Sequence, residues 1–346
     1  RTWLVFVDTA GLAARIVERL GGGGDRVVRV AAGDAFARLD PDSYVISPER
    51  GRADYDRLLQ DLVQHGLAPQ RIAHFWLVTA AEDFRPGSNF FQRNLEQGFW
   101  SLLFLGQALA EEGLPRPIHL AAITTGAEQV KAEGLANPEK SAIQGPLRVL
   151  PREVPGTSCS SLDLVLPGKG GWDALTDRVL EDLMAAGTSQ TAALRGDRRY
   201  VLTHRPVRLA DAAAPIPRDA AVLITGGFGG IGLTLAERLF RDHGARIALL
   251  TRSPLPDRAG WPAILRDDPA GGIATRIRAV QHLESLGATV LVVEGDVCNI
   301  EDMRAVRATC EAAFGRLDVL IHAAGVVADA PILAIDAGAR ALTLAV

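Results

Sequence analysis

The sequence predicts an α/β protein of two successive units, each alternating apolar strands with helices around a parallel sheet. Three observations carry this. The run Ala221-Val222-Leu223-Ile224-Thr225 enters a glycine-rich turn, Gly226-Gly227-Phe228-Gly229-Gly230-Ile231-Gly232, and Leu233, Leu235, Ala236, Leu239 and Phe240 follow at helical spacing. The same strand-then-helix rhythm runs through residues 1–205, so the chain reads as a degenerate internal duplication. A proline-rich stretch from Arg205 to Arg218 separates the two regions. The division predicted is 1–205, a connection at 206–218, and 219–346.

In the first region, Trp3 to Val7 reads as a strand and Leu12 to Leu20 as a helix ended by Gly21 to Gly24. Arg26 to Val30 is a strand, and Asp54 to His65 a helix with Asp54 in its first turn. Ile72 to Thr79 is a strand and Asn89 to Glu112 one long helix. Within that helix, Phe99 to Leu109 is too short to span a bilayer and reads as buried. Pro117 to Thr124 is a strand, Ala142 to Arg152 a short helix, Ser161 to Leu166 a strand, and Trp172 to Ala186 a helix. Tyr200 to Thr203 is a further strand.

In the second region, Ala245 to Arg252 is the second strand, Ala288 to Val297 the third and Leu317 to Gly325 the fourth. Strand, glycine turn and helix together suit a dinucleotide. Gly226 and Gly227 turn the chain sharply and bring backbone close to a ligand. Gly230 leaves no side chain between the helix N-terminus and a pyrophosphate, which the free N–H groups there attract. Gly232 allows close helix-on-strand packing. Thr251 and Arg252 end the second strand without an acid, which suits the 2′-phosphate of NADPH rather than the bare ribose of NAD. Asp296 and Val297 end the third strand near an adenine. His322-Ala323-Ala324-Gly325 ends the fourth in small residues, where a cofactor lies against backbone.

These motifs resemble the short-chain dehydrogenase/reductases and, more narrowly, the ketoreductase domains of polyketide synthases. Thr225 to Gly232 matches the family's TGGxGGIG loop, Thr251-Arg252 its 2′-phosphate pair, Asp296-Val297 its adenine contact, and His322-Ala323-Ala324-Gly325 its HAAG segment. Trp3 to Asp8, His74-Phe75-Trp76 and Asn137 to Arg148 are similar to the family's structural subdomain. The resemblance implies two tandem Rossmann-like subdomains. The first is degenerate and structural; the second binds NADPH and is C-terminally incomplete. It implies reduction of a β-keto group on a chain carried by acyl carrier protein, with neighbouring synthase domains as partners. Catalysis in the family takes a lysine, a serine and a tyrosine, all expected beyond Val346, so no catalytic residue is assigned here. The chain's tyrosines, Tyr44, Tyr55 and Tyr200, lack a Lys or Asn four residues on. Thr124 stands where a reductase carries its serine, yet no tyrosine motif follows it, so it reads as scaffold. His322 replaces the superfamily's usual Asn and reads as positional. Asp329 is expected to orient substrate and leans the resemblance towards the D-configured alcohol; a solvated loop acid is the alternative.

Bulk properties fit. At 346 residues, 48% hydrophobic, 23% charged and a net charge of −4, the chain is an ordinary globular protein of about two domains, with no call for nucleic acid or membrane. No signal peptide is evident, and the missing initiator Met is expected of a domain from something longer. Cys159, Cys298 and Cys310 have no metal-like spacing and fit a reducing cytoplasm, with Cys298 and Cys310 as small apolar fillers. No metal is expected. Gly21 to Gly24 follows a helix rather than a strand and reads as a turn, not a phosphate loop. The segment from Pro254 to Gly272 is long for its position, with Trp261 and Ile264 expected to tuck it down. Two rivals remain: a free-standing short-chain ketone reductase and an inactive structural reductase domain.

Overall fold

The computed structural model describes residues 1–80, 89–185, 190–208, 216–325 and 330–335. Asp329, part of the 206–218 connection and residues 337–346, whose sequence reads as a helix, lie outside them. The chain divides into two compact units, 1–205 with 330–334, and 206–329 with 335–346. The short piece 330–334 thus joins the first unit. There the Ile332 N–H donates to the Glu153 carboxylate at 2.6 Å, and Gln107 donates to the Ile332 carbonyl at 2.7 Å.

In the first unit, β1 (Thr2–Phe6), α1 (Leu12–Gly22) and β2 (Arg26–Ala32) are followed by β3 (Ala37–Asp40) and β4 (Ser43–Ile46). Next come α2 (Ala53–Gln64), β5 (Arg71–Leu77), α3 (Phe90–Leu95), a π turn (Glu96–Trp100) and α4 (Ser101–Glu111). The unit ends with β6 (Ile118–Thr125), a 3₁₀ turn (Pro138–Ile143), α5 (Gln144–Glu153), β7 (Thr157–Leu164), α6 (Trp172–Met184), β8 (Thr191–Arg195) and β9 (Arg198–Val201). The sheet order is β3-β4-β2-β1-β5-β6-β7-β8-β9. Its pairs are parallel except β3 with β4 and β8 with β9, which form antiparallel margins. The strand order reverses at β1, between β2 and β5, as in doubly wound sheets. Trp3, Val5, Leu12, Ile16, Phe75, Ile123 and Leu162 build one core between sheet and helices.

Three local expectations change. Helix α1 continues through Gly21 and Gly22, with its last turn closed by backbone N–H groups at Gly23. The long helix is interrupted by the π turn, at Gly98, where an added Cβ would lie 2.7 Å from Leu77. The strands β3, β4 and β8, four or five residues each, are too short to show a period.

The second unit holds β10 (Ala221–Thr225), α7 (Gly230–His243), β11 (Arg246–Thr251), a 3₁₀ turn (Arg258–Gly260), α8 (Trp261–Asp267), α9 (Gly272–Ser285), β12 (Val290–Glu294), α10 (Ile300–Phe314) and β13 (Val319–His322). The order β12-β11-β10-β13 is parallel throughout. Every residue of β10 is buried. Val222 and Ile224 face a core with Ala236, Leu239 and Leu249; Ala221 and Leu223 face one with Val306, Cys310 and Phe314. Cys310 is thus a core filler, whereas Cys298 is exposed and does not fill the core. Strand β13 forms the sheet margin, and Leu320 on it is 59% exposed. The long segment after β11 folds as α8. Its Trp261 packs with Ile277 and Val280, and Phe228 of the glycine turn packs against that cluster.

The first unit carries two buried histidines. His74 stacks on Phe6 at 4.7 Å, and its Nε2 lies 2.8 Å from the Ser101 hydroxyl. Burial pushes its pKa down to about 3. Burial, aided by Arg71 nearby, pushes His119 down to about 4. Both are neutral when folded and protonate near 6.5 when unfolded, so the unfolded chain binds more protons below that pH. Stability is full above pH 6.5 and falls as pH drops, by up to about 1.4 kcal/mol per pH unit for each histidine. Four of the five tryptophans, Trp3, Trp76, Trp100 and Trp172, report this unit. The urea midpoint by tryptophan emission should fall between pH 6.5 and 5, and His74→Gln should remove about half the slope. A flat profile in the parent chain would contradict the buried neutral pair.

Candidate functional site

The second unit's candidate site lies at the carboxyl end of β10, where β11 flanks one side and β13 the other. Ligands of open α/β sheets bind at such a switch point. Gly226 has φ +61°, and a Cβ there would stand 2.7 Å from the Ala323 carbonyl and 2.8 Å from Ala324 Cα. The turn therefore lies directly against the end of β13, which explains why small residues sit there. A Cβ on Gly232 would come within 2.8 Å of the Gly226 carbonyl, and one on Gly227 within 2.8 Å of the Leu249 side chain. The Gly229 N–H closes the turn onto the Gly226 carbonyl at 2.9 Å, and a Cβ on Gly229 would lie 3.2 Å from that oxygen.

Gly230 differs. A Cβ there meets no protein atom within 4 Å. Its lack of a side chain answers no packing need inside the protein. Gly229 and Gly230 are exposed, and Ile231 is 73% exposed. The first turn of α7 has no side-chain cap and no acidic residue. Backbone N–H groups at a helix start carry partial positive charge and want an anion. The observed cradle, a tight backbone turn with an open Cβ-free position over a helix start, fits a pyrophosphate.

Thr225 ties the two strands together. It is 2% exposed. Its carbonyl accepts the Ala323 N–H at 3.2 Å, and its hydroxyl accepts the Ala324 N–H at 3.2 Å. The same hydroxyl lies 2.8 Å from His322 Nδ1. This contact holds the imidazole ring beside Thr225. His322 is exposed, and Gly325 lies in open space.

At the end of β11, the Thr251 hydroxyl donates to the Ser253 carbonyl at 3.1 Å. Arg276 of α9, which the linear pattern does not mark, donates from Nη1 to the Thr251 hydroxyl at 3.3 Å and to the Ser253 carbonyl at 3.2 Å. Arg252 is exposed. Beyond β12, the Asp296 carboxylate accepts the Cys298 N–H at 2.9 Å, and the Asp302 carboxylate accepts the Asp296 N–H at 2.9 Å. Asp296 thus shapes the turn into α10, whose cap Asn299 accepts the Glu301 N–H. Val297 packs on the core. Desolvation and the Asp296 carboxylate hold the Cys298 thiol above its usual range, against the pull of Arg252 nearby.

The corresponding positions of the first unit are filled by the protein itself. After β1, the Asp8 carboxylate accepts the Leu12 N–H at 3.2 Å and the Ala13 N–H at 2.6 Å. The start of α1 therefore already has its anion. Thr124 donates to Asp163 at 2.8 Å, and that carboxylate also accepts the Ala127 N–H and pairs with Arg195 at 2.8 Å. Lys140 is buried, its ammonium 2.7 Å from the Thr79 hydroxyl and 3.1 Å from the Thr125 carbonyl. Tyr55 is buried, and Tyr44 donates to Asp61 at 2.6 Å; burial raises both phenols well above their usual range. No group of three or more metal-ligating side chains occurs among the described residues, and none of their helices is long and apolar enough to cross a membrane.

A family model described as KR domain matches residues 220–344, and one described as beta-ketoacyl synthase-like, N-terminal, matches residues 2–182. The second stretch is a doubly wound sheet, and its one cysteine, Cys159, is buried with its thiol pushed up to about 12 by burial, unlike an activated nucleophile. Erythronolide synthase EryA3 of Saccharopolyspora erythraea is 32% identical over 234 residues, covering 66% of this chain and 7% of that protein. The chain spans less than a tenth of the length of the curated relatives it matches. A solved N-terminal ketoreductase from the macrolactin assembly line has TM-score 0.71 at 20% identity, covering 99% of this chain and 64% of that one. A C2-type ketoreductase from a modular polyketide synthase has TM-score 0.63 at 26% identity, covering 98% and 65%. The fold and the glycine turn define a pyridine-nucleotide-dependent α/β protein of the short-chain dehydrogenase/reductase type. Within that class, the chain belongs to the ketoreductase domains of polyketide synthases.

The glycines separate by experiment. Gly226→Ala and Gly232→Ala each push a Cβ into backbone, and Gly226 adds left-handed strain, so each should lower unfolding stability by at least about 2 kcal/mol. Gly230→Ala should change it by less than about 0.5 kcal/mol. Denaturant titrations check this; equal losses at all three would contradict the geometry.

Proposed function

We propose that the second unit holds NADPH and delivers it for reduction of a β-keto group on an acyl chain carried by acyl carrier protein, within a multidomain synthase. The observation that carries the reading is the open first turn of α7, built by Gly226 against β13, with no side-chain cap and no acid of its own. The N–H groups of Gly230, Ile231 and Gly232 would receive the pyrophosphate. Thr251 and Arg252 would receive the 2′-phosphate, and no acid stands at that strand end to favour a bare ribose. Asp296 and Val297 would border the adenine. Ala323, Ala324 and Gly325 would leave room for the cofactor beside backbone, with His322 held in place by Thr225. When bound, the cofactor supplies the hydride. Residues 1–205 would serve as structural support, because Asp8 and Asp163 occupy the positions where a ligand and a reacting carbonyl would need donors. Membership of relatives in large synthases favours this over a free-standing reductase. No tyrosine follows Tyr200, so no residue of the second unit is assigned as the family's proton donor. The 346-residue chain is expected to bind NADPH without reducing a β-ketoacyl thioester.

Fluorescence titration tests the reading. NADPH should bind at least about tenfold more tightly than NADH. Arg252→Ala should abolish most of that difference while sparing NADH. Gly230→Val should keep its circular dichroism and lose both nucleotides. Equal affinities in the parent chain would overturn the 2′-phosphate assignment, and native binding by Gly230→Val would overturn the pyrophosphate seat.

A further inference from the structure

A second arginine, Arg276, reaches the end of β11, where Arg252 follows Thr251 in the chain. Resting on the reading above, we propose that Arg276 of α9 is a specificity-determining residue: a second cation for the 2′-phosphate of NADPH, held in place by Thr251 and Ser253.

The argument begins with charge pairing. In the second unit, Arg238, Arg241, Arg258, Arg266, Arg304, Arg307 and Arg316 each pair with a carboxylate within 4 Å. Among the described residues, Arg252 and Arg276 make no such pair. Arg208 and Arg218, exposed on the connection before β10, also lack a carboxylate, as do Arg246 and Arg278, which are spent on backbone carbonyls away from the strand end, at Asp219, Phe314 and Pro269. The two cations without a counter-ion at the end of β11 are thus Arg276, bonded to the Thr251 hydroxyl, and Arg252, the next residue along the chain. Glu294, in register opposite Thr251 on β12, is the nearest strand acid, yet it forms no ion pair with either arginine.

Arg276 is also pre-positioned. It is half-buried, on the α9 face that presents Ala274, Ile277 and Val280 to the core. Its Nη1 alone makes the bonds to the Thr251 hydroxyl and the Ser253 carbonyl, both neutral acceptors. A guanidinium has five N–H donors in a rigid fork. Held through Nη1, it keeps Nε and Nη2 for a doubly charged, three-oxygen ligand. A half-buried, tethered guanidinium loses little freedom on binding and is screened less than an exposed one. Arg252, by contrast, is exposed, and its side chain makes no hydrogen bond or ion pair with the described residues. The division of labour follows: Arg252 closes from solvent over a phosphate whose seat Arg276 fixes. Nothing in the chemistry of a bare ribose 2′-hydroxyl calls for this second cation, so its effect belongs to NADPH and not to NADH.

The test is calorimetric binding to the 346-residue chain, with NADPH, NADH, adenosine 2′,5′-bisphosphate and 5′-AMP as probes, using the parent, Arg276→Ala, Arg276→Gln and Arg252→Ala. Arg276→Gln keeps amide donors for Thr251 and Ser253 while removing the charge, and it serves if the alanine variant unfolds. Both Arg276 variants should weaken NADPH and adenosine 2′,5′-bisphosphate about tenfold, leave NADH and 5′-AMP within about twofold, and flatten the salt dependence of NADPH binding. Equal weakening of NADPH and NADH would overturn the proposal, because Arg276 would then only support the loop. Unchanged NADPH affinity alongside a loss in Arg252→Ala would overturn it and leave the function reading standing. A parent chain that does not distinguish NADPH from NADH would overturn both.

Discussion

The N–H groups that open the first helix of each unit demand an anion, and how that demand is met decides what each unit does. In the first unit, Asp8 reaches forward from the end of β1 and its carboxylate accepts the first two helical N–H groups of α1. An anion tethered four residues away competes with any phosphate at high effective concentration and costs no association entropy. In the second unit, the chain leading from β10 into α7 carries Gly226, Gly227, Gly229 and Gly230 instead, with no side-chain cap and no acid in the first turn of the helix. The same electrostatic need is left for a ligand.

Keeping that helix start open requires the turn beneath it to be thin. Gly226 lies so close to the end of β13 that any Cβ would strike the Ala323 carbonyl, and Gly232 lies equally close to the Gly226 carbonyl. Backbone therefore packs on backbone at the switch point, and Thr225 pins the two strands through one hydroxyl bonded to both Ala324 and His322. Phe228, the one large side chain in the turn, anchors it to the Trp261 cluster. The inserted segment that carries Trp261 acquires a role from this contact, as does the helix after it, which brings Arg276 to the end of β11.

Much of this was legible in the sequence because it is written in local chemistry. A glycine-rich turn between an apolar run and a helical pattern, and the small residues of His322-Ala323-Ala324-Gly325, announce themselves by type and order. The alternation in the first unit was legible too, since β1, β5 and β6 are compact, largely apolar runs. Features that depend on partners far along the chain were not. The strands β3, β4 and β8 are defined by their neighbours, and the π turn by Gly98 pressing on Leu77. Cys298 reads like a core residue by type but lies on the turn that Asp296 shapes. Asp8 was visible as an acid near a glycine, but its capture of two N–H groups is a matter of geometry. Gly230 was read as a position kept bare beside a ligand, and that the described protein around it is open is again a matter of geometry.

The contrast between the two helix starts is open to one direct measurement. Amide hydrogen exchange of the 346-residue chain, with and without saturating NADPH, reads the backbone N–H groups themselves. The account predicts that NADPH slows exchange in peptides spanning 225–233 and 251–253 and leaves those spanning 8–14 unchanged, because Asp8 already holds them. Slowing at 8–14, or none at 225–233 with NADPH bound, would contradict it.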